Sequence, residues 1–107
     1  MEQIVNELTS LAERLRLVDH ALSGFRECFA NEGGKKDGYG ADDFKIVFRS
    51  HSLTFHQPDW SYGPCLRTYM ELYKDTDELK QFQVGYYELI TSLTGAPIDD
   101  VLSFSDM

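Results

Sequence analysis

The chain has 107 residues, 42% of them hydrophobic and 13% aromatic, which is enough apolar material for one core and predicts a single domain over 1–107. Eighteen Asp and Glu against ten Lys and Arg give a net charge of −8, which repels phosphate backbones and anionic lipid surfaces and excludes nucleic acid and membranes as partners. The apolar runs fall far short of the ~20 residues that span a bilayer, and Met1-Glu2-Gln3 lacks the basic start of a secretory signal, so the expected location is cytoplasmic.

The strongest pattern comes first in the chain. Ile4, Leu8, Leu11, Leu15, Val18, Leu22, Phe25 and Phe29 recur at alternating spacings of four and three, one stripe of an amphipathic helix over about residues 2–31. Glu2 and Glu7 suit the positive end of the helix dipole, and Asn31-Glu32-Gly33-Gly34 supplies the stop. Gly24 is the weak point of this helix, so any kink is expected near Ser23-Gly24. Val5, Ala12, Ala21 and Cys28 widen the stripe, which suits packing across a sheet better than a coiled-coil seam. About 28 helical residues would reach about 42 Å, against about 30 Å for a nine-residue strand. One end of such a helix overhangs the sheet, and the overhang or a sheet edge offers a route to a homodimer.

Residues 33–43 hold four glycines and no apolar period, and are read as an exposed connection. In the next stretch Phe44, Ile46 and Phe48 share one face while Leu53 and Phe55 have the opposite parity, so a bulge or turn is expected near Ser50. After the strand-breaking QPDWSYGP, Leu66, Met70 and Leu72 share one face of a strand whose other face carries Arg67, Tyr69, Glu71 and Tyr73. KDTDEL turns the chain, and residues 81–91 are read as a strand with Phe82, Val84, Tyr86 and Ile90 facing one way. A turn around Gly95 leads to a last strand with Ile98, Leu102 and Phe104 on one face. The expected class is therefore α+β, a long N-terminal amphipathic helix on an antiparallel meander of three to five strands over 44–104.

The candidates for chemistry are weak. His51 and His56, with Asp59 nearby, are five residues apart and converge only if a bulge separates them. Asp42-Asp43 and Asp99-Asp100 are adjacent pairs, which a strand sends to opposite faces, so turn and edge roles are expected of them. Gly33-Gly34-Lys35-Lys36 follows a helix and lacks the ending of a phosphate loop. Cys28 and Cys65 form no short metal-ligand spacing and are expected as free thiols. No metal, cofactor or catalytic set is expected, which points to a binding protein rather than an enzyme.

The residues singled out for binding are Asp59, Trp60, Tyr62, Tyr69, Glu71, Tyr73 and Tyr87, aromatic and acidic groups in loops or opposite the better apolar face. Together with the charge they point to a small interaction protein of the inhibitor, immunity-type or adaptor kind, whose acidic sheet face and loops bind a protein partner, a basic one being favoured. The alternative is a small-molecule site or modest enzyme, with a pocket between helix and curved sheet lined by Phe48, Phe55, Tyr69, Tyr86 and His51 or His56.

Overall fold

A computed structural model describes residues 2–30, 33, 39–54 and 64–105. Two helices, α1 (Glu2–Arg14) and α2 (Leu17–Ala30), precede a short 3-10 turn at Ala41–Asp43 and four strands: β1 (Phe44–Thr54), β2 (Cys65–Lys74), β3 (Gln83–Thr91) and β4 (Pro97–Phe104). The strands pair antiparallel in the order β1-β2-β3-β4, and the helices pack on one face, the α+β arrangement expected from the sequence.

The expected single helix is two. It breaks at Leu15-Arg16, where Arg16 takes the left-handed conformation (φ 53°) and donates its N–H to the Glu13 carbonyl, the geometry of a helix end. The apolar stripe continues through the corner, because Leu15 packs into the core and Leu17 is buried. The break resolves the overhang: α1 folds over the other end of the sheet, where Leu8, Leu11, Ala12 and Leu15 meet Leu66 and Leu53. No kink is needed at Gly24, and α2 runs unbroken from Leu17 to Ala30.

Under α2 the core is aromatic. Phe25 lies 5.0 Å from Phe29 and 5.9 Å from Tyr87 by ring centroids, and Phe44 stacks on Phe104 at 5.2 Å. Met70, Leu72, Val84 and Leu89 complete this group from the sheet.

The parity switch in β1 is a bulge in one continuous strand. Register shifts between Phe48 and Ser50, leaving Arg49 extra, so that Phe44, Ile46, Phe48, His51 and Leu53 all pair with helix-facing partners. A second shift, between Leu72 and Tyr73, makes Val84 the extra residue of β3 and inverts the expected phase of that strand. Gly85, Tyr87 and Leu89 pair with Leu72, Met70 and Thr68 on the helix side, while Tyr86, Glu88 and Ile90 pair with Glu71, Tyr69 and Arg67 on the other. Tyr87, expected on the open face, is therefore core, at 0% exposure. Phe82, expected to face the core, precedes β3 and stands in the β2–β3 loop.

The Tyr87 phenol explains Gly24. A Cβ at that position would run into the Tyr87 hydroxyl, which donates to Asp100 Oδ2 at 2.8 Å. Alanine normally gains about 1 kcal/mol over glycine in a helix. Here Gly24→Ala is expected to destabilise by about 1–3 kcal/mol through overpacking. Denaturant unfolding of Gly24→Ala, Tyr87→Phe and the double variant tests this, with a coupling of at least about 1 kcal/mol expected because the second change removes the clashing oxygen.

Candidate functional site

The face turned away from the helices is written by alternate residues of the central strands. Arg67, Tyr69, Glu71 and Tyr73 come from β2, and Tyr86, Glu88 and Ile90 lie opposite them on β3, with Ser103, Val101 and Asp99 on β4. The β1 bulge adds Arg49, whose Nη2 donates to Glu71 Oε1 at 2.6 Å. Tyr73 Oη donates to the same oxygen at 2.8 Å. The Arg49 bond holds the Glu71 carboxyl below its ordinary value, and the Glu71 carboxylate in turn raises the Tyr73 phenol and the Arg49 guanidinium. Beside this group Arg67 Nε lies 3.5 Å from Glu88 Oε1. Tyr69 packs against Tyr86 with ring centroids 5.6 Å apart and accepts a hydrogen bond from Gln83 Nε2 at 3.1 Å.

Of the residues singled out in the sequence, Tyr69, Glu71 and Tyr73 come together here, with Tyr73 only 8% exposed and Tyr69 half-buried. Tyr87 lies on the other side of the sheet under α2. Asp59, Trp60 and Tyr62 fall outside the described residues. On this face Glu71 is matched by Arg49 and Glu88 by Arg67, while Asp99 adds an exposed carboxylate from β4. Further exposed carboxylates stand on the helices (Glu13, Glu27), on the 3-10 turn (Asp43), in the β2–β3 loop (Asp75, Glu78) and on the other side of β4 (Asp100). Arg49 and Glu88 were missed; alternation points to Glu88 only once the phase of β3 is known, and a bulge residue follows no alternation.

The residues expected to line a pocket do not share one. Phe48 and His51 lie on the helix side with their rings 4.7 Å apart, whereas Tyr69 and Tyr86 are on the opposite face. Phe55 and His56 fall outside the described residues. The bulge at Arg49 precedes His51 and so does not lie between the two histidines. A different cleft, of about 410 Å³, opens between α2 and β4. Its walls are His20, Ser23, Glu27, Asp99 and Asp100, and Tyr87 and Leu89 reach it from β3. Burial and the Asp100 carboxylate push the Tyr87 phenol far up, so it remains a neutral donor. Cys28 Sγ lies 3.6 Å from the same Asp100 oxygen, and Cys28 and Cys65 are not joined in a disulfide. Among the described residues no three His, Cys, Asp or Glu side chains come together as a metal site, and no helix is long and apolar enough to cross a membrane.

His51 has a structural role. Its Nδ1 is 3.0 Å from the hydroxyl of Thr68, which is buried, and burial lowers the imidazole below its ordinary 6.5. The folded protein holds this proton less tightly than the unfolded chain, so the stability involved is full above 6.5 and is lost as pH falls below it. Thermal unfolding of the wild type is expected to weaken between pH 7 and 5, and His51→Asn to flatten that slope. An unchanged slope in the variant would contradict the assignment.

Comparison with protein-family models, with curated protein sequences and with solved structures gives no match.

Proposed function

We propose that this is a cytoplasmic interaction protein that binds a protein partner through the outer sheet face and its adjoining loops, in the manner of an inhibitor, immunity-type factor or adaptor. One observation carries the reading. Tyr69 and Tyr86 pack against each other, tilted by 36°, on a face away from both helices, flanked by arginine–glutamate pairs and by Gln83. Paired rigid rings with polar tips give contact area at little entropic cost, and aromatic and arginine anchors dominate binding energy at interfaces. The net charge of −8 on the chain favours a basic partner.

The test is capture from lysate of the source cells at low ionic strength. A stoichiometric protein is expected, and Tyr69→Ala with Tyr86→Ala should lower its recovery by about tenfold or more while the circular dichroism spectrum stays native. Recovery of nothing stoichiometric, or equal recovery by the variant, would remove the reading.

The cleft between α2 and β4 favours a second reading, a small-molecule site with Tyr87 and Asp100 as its hydrogen-bonding floor. A ligand screen read by amide shifts would have to move Gly24, Tyr87 and Asp100 together. If the cleft stays silent, this reading falls.

A further inference from the structure

The β2–β3 loop carries the two most solvent-exposed large apolar side chains among the described residues, Leu79 at 76% and Phe82 at 73%. The loop that holds them is built, not slack. The Asp77 carboxylate accepts the backbone N–H of Gln81 at 3.2 Å and of Phe82 at 3.0 Å. The backbone N–H of Lys80 donates to the Asp77 carbonyl at 3.1 Å, and Asp77 N–H to the Lys74 carbonyl at 2.9 Å. Asp75 N–H donates to the Asp43 carbonyl at 2.8 Å, which ties the loop to the 3-10 turn. These donors, with Lys45 nearby, keep the Asp77 carboxyl below its ordinary value and therefore ionised. Lys80 sits in the left-handed region (φ 51°), a conformation that costs a non-glycine residue on the order of 1 kcal/mol and persists only where its surroundings impose it. Two large apolar groups are thus held out to water by a backbone with little freedom left to lose on binding.

The loop also continues the outer face. Gln83, next after Phe82, pairs with Tyr73 and donates to Tyr69. Resting on the reading that the chain binds a protein, we infer that Leu79 and Phe82 form a preorganised knob that enters an apolar socket with a basic rim on that partner. The rim follows from charge: around the knob Asp75, Asp77 and Glu78 outnumber the exposed Lys80, on a chain of net charge −8. The same charge opposes a second copy of this chain, or an anionic lipid surface, as the occupant.

The experiment places a photo-crosslinking amino acid at position 79 in one full-length chain and at position 69 in another, both expressed in the source cells. The expected result is one protein captured from both positions, less efficiently at about 0.5 M salt, where surface charges are screened. Purified wild-type chain should compete for that capture, and Leu79→Ser/Phe82→Ser should need at least about tenfold more. The two positions are exposed, so the double variant should keep its thermal midpoint, which is measured alongside. Equal competition by the variant, or capture from position 69 alone, would overturn the knob and leave the protein-binding reading standing. Capture from neither position would end both. Capture of a second copy, or flotation of the chain with phosphatidylcholine vesicles that the double variant loses, would also overturn the assignment.

Discussion

Phe25→Ala is expected to cost about 3–5 kcal/mol, a large part of the stability of a domain this size. Phe25 is fully buried where α2 crosses the sheet, and its ring lies among those of Phe29, Phe44 and Tyr87. Its neighbours are poorly placed to fill the hole. Phe29 and Phe44 are fixed by further ring contacts with Phe104, and Tyr87 is anchored by its hydrogen bond to Asp100. A cavity that fails to collapse gives the upper end of the range, and the penalty also includes the ring–ring terms. Urea unfolding measures it as a lower midpoint with an unchanged slope. A loss below about 1.5 kcal/mol would mean that α2 does not seal the sheet as described.

Gly85→Ala should be nearly as severe, for a different reason. Gly85 pairs with Phe104, and β4 comes so close that a Cβ would strike the Ser103 carbonyl oxygen and crowd Phe104. The obstacle is backbone, so no rotamer relieves it. Either β4 moves off, breaking its pairing with β3 and the bond from Ser105 N–H to the Val84 carbonyl, or β3 twists and disturbs Tyr87. The expected loss is about 3 kcal/mol or more. It should be local in character, with hydrogen-exchange protection falling first along β4. Uniform loss of protection across all four strands would argue against this route.

These two residues also mark where the sequence is informative and where it is not. The stripe that contains Phe25 is a periodic signal, and it locates the helical face that covers the sheet. The alternation of Leu66, Met70 and Leu72 likewise gives the inner face of β2, and the parity conflict between Phe48 and Leu53 announces the Arg49 bulge. The break at Arg16 leaves no such trace, because the stripe passes through the corner unbroken and the left-handed residue is an arginine rather than a glycine. In and just before β3, six of the nine residues from Phe82 to Ile90 are apolar or aromatic, and the adjacent pairs Tyr86-Tyr87 and Leu89-Ile90 give alternation two solutions one residue apart. The Val84 bulge selects the one that buries Tyr87 and turns Tyr86 outward. Gly24 reads as a weak point in a helix until the position of the Tyr87 hydroxyl is known.

The same ambiguity hid most of the candidate site. Tyr69, Glu71 and Tyr73 are legible because β2 alternates cleanly. Their cross-strand partners depend on two bulges, and the exposed pair Leu79 and Phe82 depends on where β3 begins, which Asp77 fixes through backbone hydrogen bonds. Charge is legible only as a sum. Composition gives the total of −8 correctly but not its distribution, and two of the five arginines, Arg49 and Arg67, stand beside Glu71 and Glu88 on the outer face.

Hydrogen exchange of the full-length chain, alone and with the captured partner, tests the binding surface most directly. Amides of residues 78–83 and of the outer face of β2 and β3 are expected to slow by at least about tenfold in the complex, with α2 and β4 unchanged. Protection confined to α2 and β4 around Gly24 and Asp100, with the β2–β3 loop exchanging as in the free chain, would contradict it and move the binding surface to the cleft.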